Sequence, residues 1–230
     1  MIEEKMTDLK RELIEYSTLV QEMIRRSIHG LLDRQKGPLT EVIERYEPRA
    51  NDYEIALDER CTTMIAQFQP RAKDLRTILM VFRIGNDLER MGDHAVNIAQ
   101  ASLYLIERPE VKKLIDIPRM ADEVTAMVRD SLTSFVEQDV GLARSVCERD
   151  SVVDGLEDQV RRELLTHMLA VPATIERALR LADIAKDLER IADLSTNIGE
   201  DVIFMVEGRV IKHHRNEKQP PTVRGPAGPA

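Results

Sequence analysis

Residues 84 to 101, IGNDLERMGDHAVNIAQA, align without a gap to residues 184 to 201, IAKDLERIADLSTNIGED, with 8 of 18 positions identical at an offset of 100. Self-similarity at a fixed distance means that one supersecondary unit is used twice. The same offset joins Glu54 to Asp154 and Asp58 to Asp158, so the duplication reaches beyond one local motif.

The unit is helical. The chain has no Trp, only 3% aromatic residues and 32% charged residues, and helix formers outnumber the β-branched and aromatic residues that build sheets. Apolar residues recur at three and four, as in Ile43, Tyr46, Ala50, Tyr53, Leu57, Cys61, Met64 and Phe68, which is the stripe of an amphipathic helix. Strict alternation is absent. Pro and Gly punctuate the pattern and predict six helices, roughly 5 to 35, 38 to 68, 71 to 106, 117 to 138, 140 to 169 and 173 to 207. The expected fold is all-α, with two tandem, repeat-related three-helix bundles in residues 1–107 and 117–207 and a linker over 108–116. Residues 208–230 carry five Lys or Arg against one Glu among Pro and Gly, and are expected to form a disordered basic tail.

Formal charge is −8, so residues 1–207 carry −12 and duplex nucleic acid is not an expected partner. No apolar run approaches the ~20 residues that span a bilayer, and Met1-Ile2-Glu3-Glu4-Lys5 lacks the features of a secretory signal. A cytoplasmic location is expected. Cys61 and Cys147 sit in helical patterns without metal-ligand spacing and read as small buried thiols.

The chemistry is concentrated in acids. In the third helix Ile84, Leu88, Met91, Ala95 and Ile98 make the core stripe, which puts Glu89 and Asp93 together on the far side. Like charges four apart cost a few tenths of a kcal/mol, yet the pair returns as Glu189 and Asp193, and the preceding helices carry Glu54 with Asp58 and Asp154 with Asp158. Each half thus offers four carboxylates on two antiparallel neighbours. Small residues at seven-residue spacing, Gly85, Gly92 and Ala99, then Ala185, Ala192 and Gly199, allow those helices to approach closely. Converging carboxylates need a cation, protonation or outward splaying. An oxygen-only set suits a hard cation, iron, Mg or Mn. A bland role as solvated faces paired to Arg90 and Arg190 is the competing view. His94 follows Asp93, but Leu194 stands at the matching place, so His94 is better read as a capping or solvent-facing residue. Asp87, Arg90 and Asn97 recur as Asp187, Arg190 and Asn197 and read as ion pairs and hydrogen bonds between helices. No phosphate loop, HExxH, GxSxG or nucleophile constellation is present, so no enzyme activity is expected.

Leu88-Glu89-Arg90-Met91-Gly92-Asp93-His94-Ala95-Val96-Asn97-Ile98-Ala99 resembles the first signature of the PhoU phosphate-signalling family, and Leu188-Glu189-Arg190-Ile191-Ala192-Asp193 resembles the second. Pro70 to Arg76 and Val206-Glu207-Gly208 with His213 resemble its flanking stretches. The resemblance implies surface carboxylate motifs able to hold multinuclear metal clusters, often iron, with Glu54, Asp58, Glu89, Asp93, Asp154, Asp158, Glu189 and Asp193 as ligands. It implies self-association as a homodimer and a negative regulator that links a phosphate ABC transporter to a membrane sensor histidine kinase, reaching the membrane only through those partners. Ala192 for Gly and Leu194 for His depart from the pattern in the second half. A carboxylate-bridged metal store or oxidase-like bundle is the other reading. It is weakened by the absence of Glu-x-x-His pairs.

Overall fold

The computed structural model describes residues 2–71 and 73–207; the expected tail lies outside the described residues. The chain forms α1 (Ile2–Leu32), α2 (Lys36–Glu41), a π-helical turn (Val42–Tyr46), α3 (Glu47–Phe68), α4 (Lys73–Ile106), α5 (Asp116–Glu137), α6 (Val140–Ala170), a 3-10 turn (Pro172–Thr174) and α7 (Ile175–Glu207). The segment from α2 through the π-helical turn to α3 runs as one arm, so there are six long helices, and no strand occurs among the described residues. The helix ends reflect local chemistry. Gln69 and Gln138 close α3 and α5 in the left-handed conformation, and the Asp139 carboxylate caps α6 by accepting from the Leu142 amide at 3.0 Å.

Helices α1, α3 and α4 make one bundle and α5, α6 and α7 the other. The two join along α4 against α7 and α1 against α5. Leu88, Met91, Leu188 and Ile191 are fully buried in a core that is continuous across both halves. Inside it, the Ser27 hydroxyl donates to the Ala95 carbonyl at 2.8 Å and ties α1 to α4.

Burial shows how the two halves correspond. Between α4 and α7 the offset is 100, as in Leu88/Leu188 and Ile98/Ile198. Between α1 and α5 it is 104, with Leu13/Ile117, Tyr16/Met120, Met23/Met127 and Leu31/Phe135 all buried in phase. The arm preceding α4 begins at 104 with Leu39/Ala143 and Val42/Val146, then continues at 103 with Ala50/Val153, Leu57/Val160 and Cys61/Leu164. The step falls at the π-helical turn, where one extra residue is held in a wider turn that leaves the orientation of α3 unchanged.

The small-residue stripe does place helices close together, unequally. A Cβ on Gly199 would stand 3.1 Å from the Ala143 carbonyl oxygen and 3.2 Å from Cys147 Sγ. A Cβ on Gly92 would meet nothing nearer than Met23 Cε at 3.7 Å, and the second half carries Ala192 there. Gly92→Ala is therefore expected to stabilise the protein by about 0.5–1 kcal/mol through helix propensity. Gly199→Ala should cost about 1 kcal/mol, because a backbone carbonyl cannot step aside. Urea unfolding of both variants reads the difference in sign.

Candidate functional site

In the first half α3 and α4 bring Glu54, Asp58, Glu89 and Asp93 within each other's field. Glu54, Asp58 and Glu89 are half-buried and Asp93 is exposed. Burial pushes the Glu54 carboxyl up, and the charges of Asp58 and Asp93 push it further. Burial also raises Asp58. Glu89 is raised by burial, then by Asp93 and Glu54, with Arg90 opposing. All four carboxylates act in turn on Tyr16 of α1, whose phenol is raised first by its burial and then by them. Tyr16 is 0% exposed and stacks on Tyr53 with ring centroids 5.4 Å apart.

Three buried side-chain oxygens have no hydrogen-bond partner among the described residues: Tyr16 Oη, Asp58 Oδ1 and Glu12 Oε2. All three belong to this half. Glu12 has the Arg60 guanidinium 3.1 Å away without a well-directed hydrogen bond to that oxygen.

The second half is arranged differently. Glu189 is raised by burial and then by Asp193, with Asp154 and Glu157 adding to it and Arg190 opposing. Glu157, which the sequence pattern did not single out, takes the place of Glu54 at the offset of 103. Asp158 turns to an ion pair with Arg161, and Arg161 holds the position matching Asp58. Arg190 lies 3.0 Å from Asp193 and 3.5 Å from Glu189. In the first half Arg90 approaches Asp87, at 3.7 Å, and also acts on Glu89.

The seam between α4 and α7 uses the remaining motif residues. His94 Nδ1 is 2.8 Å from the Asp187 carboxylate, which commits His94 to a bond between the halves. Arg83 pairs with Asp201 at 2.9 Å. Asp87 is pushed up to about 6 by burial, with Asp201 adding to the rise and Arg90 and Arg83 opposing it. Neither thiol is a ready nucleophile: burial pushes Cys61 up to about 12 and Cys147 up to about 11.

As they stand, no three Asp, Glu, His or Cys side chains among the described residues converge tightly enough to hold an ion. The donor set of the first half is of the oxygen-only kind that hard cations take. Its carboxyls repel one another, and Tyr16 Oη and Asp58 Oδ1 are buried there without a hydrogen-bond partner among the described residues.

Fold and site together define a duplicated, all-helical scaffold with a carboxylate face on each repeat. A model of the PhoU domain matches residues 13–102 and 117–202. The chain belongs to the PhoU family. It is 40% identical over 215 residues, 93% of its length and 97% of the relative's, to the phosphate-specific transport system accessory protein PhoU homolog of Aquifex aeolicus. It is 32% identical over 224 residues, 97% of its length and 87% of the relative's, to the protein so named in Pseudomonas putida. The crystal structure of PhoU from Pseudomonas aeruginosa superposes with a TM-score of 0.87 at 32% identity, covering 91% of this chain and 100% of that one. No described helix is long and apolar enough to cross a membrane.

Proposed function

We propose that this protein is a negative regulator of phosphate uptake and of the phosphate-starvation response. It acts by binding rather than by turnover, coupling a phosphate ABC transporter to a membrane sensor histidine kinase when phosphate is plentiful. The observation that carries this reading is the match of both repeats, over 93% of the chain, to a protein named as a phosphate-specific transport system accessory protein. The carboxylates of the two repeats add a chemical part to it. Glu54, Asp58, Glu89 and Asp93, with Asp154, Asp158, Glu189 and Asp193, offer oxygen donors for iron, Mg or Mn on the helix faces. A bound cation would neutralise the repelling carboxylates and fix the surface presented to a partner. Glu157 joins the second set by its proximity to Glu189.

The test is a deletion strain complemented with this chain or with its Asp93→Asn, Asp193→Asn variant, with co-purification of the transporter's ATPase subunit and of the kinase. The wild-type chain should restore repression in high phosphate and carry both partners with it. Repression restored with neither partner bound would overturn the coupling reading. Normal repression by the double variant would remove the acidic face from the mechanism.

A further inference from the structure

We propose that the tip of the α6–α7 hairpin is a membrane-surface contact: its aliphatic side chains enter the interface of an anionic bilayer and the cations around them meet the headgroups. This goes beyond the regulatory reading above, which needs no lipid contact.

The first observation is where aliphatic side chains are left in water. Leu165 and Leu169 lie one turn apart near the end of α6, Ile175 and Leu179 one turn apart at the start of α7, and Val171 sits at the bend between them. All five are exposed, Leu169 at 77%. Exposed apolar clusters of this kind mark contact sites. The hairpin's own packing does not require it, because the first repeat lacks it. At the offset of 103, Leu165 and Leu169 correspond to Thr62 and Ala66; at the offset of 100, Ile175 corresponds to Leu75, which is half-buried.

The second observation is charge. Residues 161–180 carry Arg161, Arg162, Arg177 and Arg180 against Glu163 and Glu176, a net +2 in a body of −12. Glu163 is already paired with Lys112, from the segment between α4 and α5. Arg162, Arg180 and Lys113 are exposed, and no ion pair engages Arg162 or Lys113 among the described residues. Helices α4 and α7 run antiparallel, since Arg83 pairs with Asp201 and His94 with Asp187. The two hairpin tips therefore lie at opposite ends of the molecule, and this one can meet a surface end-on while the acidic body stays clear of it.

The third is that the tip is held before it meets anything. Arg177 donates to the Pro109 carbonyl at 2.6 Å and to the Ala173 carbonyl at 3.3 Å, and the Thr174 hydroxyl donates to the Val171 carbonyl at 2.7 Å. Little ordering entropy then opposes contact. Size and shape select lipid over protein. Five side chains on a convex bend fall short of the roughly 20–30 residues that a stable protein interface takes from each side. A fluid bilayer surface moulds around a small apolar tip ringed by cations.

The test is co-sedimentation of the full chain with vesicles of phosphatidylcholine alone or mixed with phosphatidylglycerol. No partner protein is present, so the outcome is separate from that of the regulatory reading. The protein should sediment with the mixed vesicles, less so at high salt, and stay in solution with phosphatidylcholine alone. Arg162→Ala with Arg180→Ala should weaken binding about thirtyfold, since each cation near an anionic surface is worth about fivefold. Leu165→Ser with Leu169→Ser should weaken it about tenfold or more through lost apolar burial. All four side chains are exposed, so both variants should melt with the parent. Because the chain has no Trp, Leu169→Trp supplies a single reporter. Its emission should shift to the blue on mixed vesicles, and that of Ala66→Trp, at the matching place in the first repeat, should not. A parent that ignores the mixed vesicles, sedimentation undiminished in either double variant, or reporters that respond alike would each overturn the inference.

Discussion

In the presence of a chelator, the variant with Glu54, Asp58, Glu89 and Asp93 changed to their amides is expected to be more stable than the parent at pH 7.5, by about 2 kcal/mol. Two carboxylates ~5 Å apart repel by roughly 3 kcal/mol at an effective dielectric of ~20, and partial exposure reduces that for each pair. The direction is set by linkage. Burial holds Glu54, Asp58 and Glu89 above their ordinary values in the folded protein, and repulsion from neighbouring carboxylates adds to it at Glu54 and Glu89. The folded state therefore binds their protons more tightly than the unfolded chain does. The resulting stability is fully present below the unfolded values and is lost as pH rises through the folded ones. The advantage of the amide variant should thus be greatest at neutral pH and fade as the medium approaches the ordinary carboxylate range. Melts at pH 4.5, 6 and 7.5 measure it, and an advantage independent of pH would show that repulsion is not its source.

Phe135→Ala should be among the most damaging single changes, costing about 3–5 kcal/mol. Phe135 is fully buried near the end of α5, where its counterpart in the first repeat is Leu31. The Lys10 ammonium of α1 stands 5.9 Å from its ring centroid, so the ring lies at the contact between repeats. Truncation leaves a cavity there that rigid helices close poorly, and the loss is a large share of a typical domain's 5–15 kcal/mol. Phe135→Leu, which installs the first repeat's own residue, should cost roughly half as much. Denaturant unfolding measures both, and a cost for Phe135→Ala below about 1 kcal/mol would show that this end of α5 can collapse.

The helices were legible because apolar periodicity and Pro or Gly punctuation report directly on local structure. The second helix was expected to begin at 38 and its arm begins at Lys36; the fifth was expected over 140 to 169 and runs Val140–Ala170. Glu54, Asp58, Glu89 and Asp93 were legible as a group because they lie on two faces with simple spacing. Glu157 was not. The offset of 100, true of α4 and α7, carries over to α3 and α6 only if the connections between them are equally long, and burial places those helices at 103. Tyr16 was hidden for a related reason. Its α1 stripe resembles that of α5 in apolar phase rather than in residue identity, and nothing local to Tyr16 says which helix its hydroxyl will meet. The His94 bond to Asp187 spans two repeats and has no sequence signal at all, since Leu194 breaks the symmetry that would have suggested it.

The π-helical turn at Val42–Tyr46 also records how the two repeats have diverged in length since the duplication. The first repeat keeps one residue more within its second arm than the second repeat does, and the helix has swallowed it as a wide turn far from the acids. Between residues 54 and 58 no such absorption is possible without consequence. One residue gained or lost there, with the helix staying regular, would swing everything beyond it by about 100° and part the carboxylates from Tyr16. Length in this chain is free to drift upstream of Glu47 and at the hairpin joints, while the acid-bearing turns are held to a fixed count.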